Sequence, residues 1–248
     1  MAHKRDIASL ANELSQLGAI GRKNLTDDQV TLAIKLLPTF FRTLLTDAEV
    51  DERPARALTT KFRDAGRRSA PWKAFSGRVA GRPQDGADGN RINRWLLPED
   101  HKQYATQREA TLVEIAFYMQ ALSLKDCPAV PHPKFSDNWR WVTGRAVLPG
   151  QFKDPVQLRD ISILRVLETP RMITSGHIYP LDRGGKHELG NVFLVLHRSN
   201  QMQGNMTLPE FLQLSDFIVT KHREEGTFPH NESKGLLETI DYFDSPHG

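Results

Sequence analysis

The stretch SGHIYPLDRGGKHELGN, residues 175–191, carries side chains that can move protons and hold cations, at definite spacings. His177 is followed by Pro180 three residues on, by Gly184 and Gly185 at seven and eight, and by Asn191 at fourteen; Asn200 lies nine beyond that. A neutral imidazole, with an ordinary pKa of about 6.5, can take a proton at neutral pH. An amide oxygen suits a hard cation such as Mg²⁺, which keeps most of its waters. A glycine pair lets a loop turn sharply. Taken singly, each residue has a plainer role: His177 as a satisfied strand histidine, Asn191 as a turn residue, Asn200 as a helix N-cap. By the same measure His187 reads as an exposed loop histidine. The chain has no GxxxxGK[ST] loop, GxSxG elbow or HExxH helix. Its single cysteine, Cys127 in KDCPAV, has no evident base beside it.

Six positions in register resemble the HNH endonucleases, which share the small ββα-metal fold. The family's histidine, proline, glycine pair and asparagine fall on His177, Pro180, Gly184, Gly185 and Asn191, and its last position, Asn or His, falls on Asn200. The resemblance covers roughly residues 171–207, or to about 225 with the helix that follows. It implies a metal-dependent endonuclease, a hydrolase of phosphodiester bonds using Mg²⁺ or Mn²⁺. In that reading His177 and Asn191 form the catalytic pair, His177 as general base and Asn191 steadying the loop between the strands. Asn200 would be the metal ligand. Arg183 and Arg198 flank the site, where either can clamp a phosphate or form a surface salt bridge.

The departures are specific. Many HNH enzymes place Asp or His before the base as a second metal ligand; here that residue is Gly176. Three readings stay open. Asn200 with waters can hold the metal alone, as in the similar non-specific ββα-metal nucleases with an Asp-Arg-Gly-His motif. Asp182, His187 or His197 can supply the missing ligand. Or the site is dead, and the chain is a non-catalytic nucleic-acid-binding or scaffold protein. The paired cysteines of a structural zinc are absent too.

The net charge of +3 is unevenly spread. Between Arg53 and Trp95 eleven Lys/Arg face three acids, whereas from Glu224 onward six acids face Lys234 alone. Such asymmetry suggests a polyanion partner for one face, set against the plainer reading of a solvated basic loop. Gly and Pro are dense in residues 66–95, which read as an arm that orders on binding. The candidate nucleic-acid contacts are Arg67, Arg68, Arg78, Arg82, Arg91, Arg94, Arg183 and Arg198, on double-stranded DNA.

The elements that must position these residues read as α+β. A mainly helical region, 1–170, would supply DNA binding and specificity through the basic arm 53–95. The HNH-like module, 171–225, would do the chemistry, and 226–248 would be an acidic, flexible tail. A helix is expected from the stripe Ile7, Leu10, Leu14, Leu17, stopping at Gly18. TDDQ, Thr26–Gln29, has capping-box spacing before a run to about Leu45 that Pro38 should kink or split. A third helix should start near Pro54, and a fourth cover Thr106–Leu124 with one apolar face. NWRWVTGR, 138–145, suits a strand with Trp139 and Trp141 on one side, more as core than as a nucleic-acid platform. Asp154 should cap a helix over Pro155–Leu167. Strand, loop, strand and helix follow from RMITSGHIYPL, NVFLVLH and RSNQMQGN, then a terminal helix with Leu212, Phe217 and Val219 apolar.

No apolar run approaches a membrane span, the N-terminus lacks a signal-peptide core, and a cytosolic protein is the simplest reading. A restriction or other bacterial or phage defence nuclease, or a mobile-element nuclease, fits the pattern. A module that cuts one strand needs two copies for a duplex break, hence a homodimer; a partner subunit or guide that brings it to its target is the other possibility.

Overall fold

A computed structural model describes residues 6–69 and 92–227, so Arg78, Arg82, Arg91, most of the basic arm and the tail from 228 lie outside the described residues. In chain order the elements are α1 (Ile7–Ile20), α2 (Asp27–Asp47), α3 (Glu52–Arg67), β1 (Arg68–Ser69), β2 (Ile92–Asn93), α4 (Gln107–Leu122), α5 (Phe135–Asn138), α6 (Arg140–Thr143), α7 (Ile163–Glu168), β3 (Ile173–His177), β4 (Val192–Leu196), α8 (His197–Gln203) and α9 (Leu208–Glu224). The fold is α+β, helix-rich with two small antiparallel sheets, β1–β2 and β3–β4.

The centre is α4. It packs against α2, α3 and β4, and every residue from Ala110 to Leu122 is buried. The expected single apolar face is therefore corrected to burial all round. Phe41, Phe62 and Tyr118 meet edge-on, with ring centroids 5.1–6.0 Å apart. Each such side chain contributes about 1.5–3 kcal/mol by leaving water. One continuous apolar cluster joins these helices to Ile173, Val192, Leu194 and Leu196 of the β3–β4 hairpin.

Four local expectations change. α1 runs through Gly18 and ends at Gly21, because Trp139 covers Gly18: a Cβ there would meet the indole at 2.9 Å. α2 begins with the Thr26–Gln29 capping box but is not split by Pro38. Its flanking Leu37, Phe40 and Phe41 are fully buried, which offsets a cost of about 3 kcal/mol for an internal proline. NWRWVTGR forms two helical turns and no strand. Asn138, Trp139 and Trp141 all donate to α1, at Ser15, Leu14 and Gly18, which alternating strand faces would prevent. Trp139 is core, the half-buried Trp141 packs against it, and the two stack at 5.8 Å. Finally, 155–162 is not helical. Leu158 takes a positive φ of 56°, and the Asp154 carboxylate holds a turn by accepting from Val156 N and Gln157 N, so only Ile163–Glu168 is helix.

Among the described residues no helix is long and apolar enough to cross a membrane. α9 lies on the outside with no buried residue.

Candidate active site

β3 and β4 pair antiparallel, His177 opposite Val192 and Ile173 opposite Leu196. The loop between them is closed by Asn191. Its Oδ1 accepts from Tyr179 N at 2.8 Å, and its Nδ2 donates to Tyr179 O at 3.0 Å and Lys186 O at 2.8 Å. Gly185 completes the turn by donating its N–H to Pro180 O. A Cβ on Gly185 would sit 2.0 Å from Tyr179 O, so only glycine fits. His177 is thereby placed at the last position of a strand whose next turn is fixed.

α8 carries Asn200 and is held at both ends. At its start the buried Asp154 carboxylate accepts from Leu196 N at 2.8 Å and from Ser199 Oγ at 2.9 Å, and Gln157 donates to the same hydroxyl. Unpaired N–H groups at a helix start are natural partners for a carboxylate. At its end Gln203 donates to the carbonyl of His177 itself, at 3.2 Å. Gly176 faces this helix. A Cβ there would lie 2.8 Å from Val195 Cγ1 and 3.3 Å from Asn200 Oδ1. The sheet thus brings the helix's carboxamide oxygen against the residue before His177. Among the described residues nothing hydrogen-bonds the Asn200 side chain.

On the helical side, His177 Nε2 lies 3.4 Å from Nδ1 of His187, whose own Nε2 lies 2.7 Å from the carbonyl oxygen of Gly66. His187 is 1% exposed, which corrects its reading as an exposed loop histidine. Burial, then the positive Arg94 nearby, pulls the His177 imidazole down to about 4. The same causes hold His187 well below the usual histidine range. Both rings are neutral at neutral pH.

Arg94, read as a DNA contact, is 6% exposed where it lines the cleft of His177 and Asn200, and donates to the backbone oxygens of Gly66, Gln103 and Ala65 at 3.2, 3.2 and 3.4 Å. Its guanidinium ties the end of α3 to the segment before α4. Desolvation lowers it to about 10, still charged at neutral pH.

His177 and Asn200 line one cleft of about 650 Å³, together with Ser175 on β3 and Lys61, Asp64, Arg68 and Arg94. A smaller recess of about 300 Å³ also has His177 and Asn200 on its wall, with Lys102, Asp182 and Asn205. Lys102 and Asp182 form an ion pair there. Of the three side chains considered as an extra metal ligand, Asp182 thus shares the recess. His187 is committed to Gly66 and His177, and His197 is exposed and lines neither space.

The arginines divide likewise. Arg68 lines the cleft, with Asp64 Oδ1 at 3.5 Å. Arg67 faces the buried Glu114 at 2.5 Å, an ion pair without hydrogen-bond alignment, and desolvation still raises that carboxyl to about 7. Arg183 pairs with Glu210. Arg198 is half-buried and lines neither space. Lys61 is the cleft cation outside the expected set, its ammonium donating to Pro170 O at 2.7 Å. His187, read as a loop residue or a spare metal ligand, and Asp154, read as the cap of the helix after it, take other partners here. Their partners lie 121 and 42 residues away, beyond any local pattern.

Among the described residues no three His, Cys, Asp or Glu side chains cluster as a metal cage. The donors available are oxygens: the Asn200 carboxamide, with Asp182 sharing the recess. Such a set fits a hard, largely hydrated cation and not zinc. The arrangement can take a proton at His177, offer oxygen to a cation at Asn200, and hold an anion at Lys61 and Arg68.

No protein-family profile matches the chain, and no curated protein matches it. A solved structure described as the crystal structure of a type II restriction endonuclease is similar over 54% of this chain and 62% of that one, less than two thirds of its length, with a TM-score of 0.42 and 17% sequence identity.

Proposed function

We propose that the chain is a metal-dependent endonuclease of the HNH type, hydrolysing phosphodiester bonds in double-stranded DNA. The observation that carries this is the meeting of His177 and Asn200 on the wall of one cleft that Lys61 and Arg68 also line. The imidazole takes a proton from water as that oxygen bonds to phosphorus, and one phosphorus–oxygen ester bond breaks. The leaving oxygen ends as a hydroxyl with a proton from solvent. Asn200 would hold Mg²⁺ or Mn²⁺, with Asp182 the next oxygen donor in reach; when bound, the cation neutralises charge on the phosphate and leaving oxygen. Asn191 keeps the loop, and so the base, in place.

The helical region, with the basic arm, supplies grip on DNA; the hairpin with α8 supplies chemistry. A restriction or other defence role suits that division, and a duplex break would take two copies or a partner subunit. A second reading has its own support: at Gly176 a larger residue meets Val195, so the family's additional ligand has no room there. In that reading the fold is kept for binding alone.

The deciding experiment incubates supercoiled plasmid with the full chain and Mg²⁺, Mn²⁺ or EDTA, beside His177→Ala and Asn200→Ala. Metal-dependent nicking in the native chain, lost in His177→Ala and reduced about a hundredfold in Asn200→Ala, is expected, equivalent to roughly 3 kcal/mol of transition-state stabilisation. Equal DNA binding by all three with no cleavage overturns the nuclease in favour of the binding protein.

A further inference from the structure

His187 is not one of the six motif positions, yet it is buried against the imidazole of His177, ring centroids 5.6 Å apart. The hydrogen positions follow from its partners. A carbonyl oxygen only accepts, so the Nε2 that lies 2.7 Å from Gly66 O carries a hydrogen. A neutral imidazole has one N–H, so His187 Nδ1 is an acceptor. The atom facing it at 3.4 Å, His177 Nε2, must then be the donor. That leaves Nδ1 of His177 with the lone pair. Deep burial beside Arg94 keeps His187 uncharged, which rules out the arrangement with both of its nitrogens protonated.

We propose that His187 is a positioning residue: the relay from Gly66 through His187 to His177 locks the His177 ring into its Nε2–H tautomer, with Nδ1 as the proton-accepting atom. This rests on the reading of His177 as the base. An imidazole without such a partner divides between two tautomers, and the wrong one presents a hydrogen where a lone pair is required. The acceptor that starts the relay sits at the end of α3, two residues before the arm's β1 begins its exit. The helical region therefore contributes to the base's protonation geometry as well as to DNA grip.

The test compares the native full chain with His187→Phe and His187→Asn. Phenylalanine fills the space, and Gly66 O keeps a donor in Arg94 Nε at 3.2 Å, so the fold has a partner for that carbonyl. Asparagine can return an acceptor oxygen near the lost Nδ1. Long-range proton–nitrogen NMR spectra of nitrogen-15-labelled protein read the tautomers directly, with no need for activity. The native spectrum is expected to show His177 with a pyrrole-like Nε2 and a pyridine-like Nδ1. In His187→Phe the ring should become a mixture, with kcat for plasmid nicking lowered in proportion to the fraction left in the Nε2–H form, about twofold to fivefold, and KM little changed; His187→Asn should recover part of both. A native His177 protonated on Nδ1, or a tautomer unmoved by His187→Phe in a variant with native circular dichroism, overturns the relay. If His187→Phe fails to fold, the native spectrum and the asparagine variant still decide. The expected tautomers in a chain that cuts no DNA uphold the relay and defeat only the nuclease.

Discussion

The carboxamide oxygen of Asn200 and the Cα of Gly176 are packed so closely that a side-chain carbon on Gly176 would stand 3.3 Å from that oxygen and 2.8 Å from Val195. The strand position that would carry a further ligand in the resembled family is thereby filled by its neighbours. Gly176→Asp should lower stability by about 1–3 kcal/mol through overpacking and should not raise metal affinity. Urea unfolding and Mn²⁺ titration check both; a folded variant binding Mn²⁺ more tightly would refute the packing argument.

The low pKa of His177, about 4, sets the direction of the activity profile. The neutral ring is the active form, so cleavage should persist as pH falls below 6 and fade only near 4. An ordinary histidine would lose it near 6.5. Nicking rates between pH 4 and 8, with DNA binding followed in parallel, measure this.

The same lowering has a consequence for stability. His177 and His187 are held below their unfolded values, so the native state binds fewer protons than the unfolded chain between those values. Stability should be full above about pH 6.5 and fall as pH drops toward 4. In His187→Phe the slope should be shallower, because one of the two groups is gone. Denaturant melts at stepped pH give the slope directly.

Asp154 caps α8 from a loop and so places Asn200. Its buried carboxylate serves four donors: Val156 N, Gln157 N, Leu196 N and Ser199 Oγ. Asp154→Asn replaces a charged acceptor with a neutral one and should cost on the order of 3 kcal/mol. Activity should fall in step with loss of order in α8, read by hydrogen exchange at its amides.

Lys61 and Arg68 line the same cleft as His177 and Asn200. Lys61→Gln with Arg68→Gln should weaken DNA binding uniformly across sequences and reduce the salt slope by about one per lost phosphate contact. Arg94→Gln should act differently: it should destabilise the fold, because the guanidinium spans three backbone oxygens. Binding isotherms at several salt concentrations separate the two.

Features that depend on neighbours along the chain are legible in the residues alone. The Thr26–Gln29 capping box, the start of α3 and the strand–loop–strand–helix run of β3, β4 and α8 all rest on contacts within a few residues or on a fixed motif spacing. Packing between distant segments set the rest. Burial of Trp139 against α1 turned an alternating stretch into helical turns. The closeness of Gly66 to His187, 121 residues apart, made a loop histidine the partner of the base. Arg94, counted by charge as a DNA contact, also braces the fold because three carbonyls converge on it. Charge and periodicity report what a side chain can do; which buried acceptor or donor it meets is set by long-range packing, which leaves no local pattern to read.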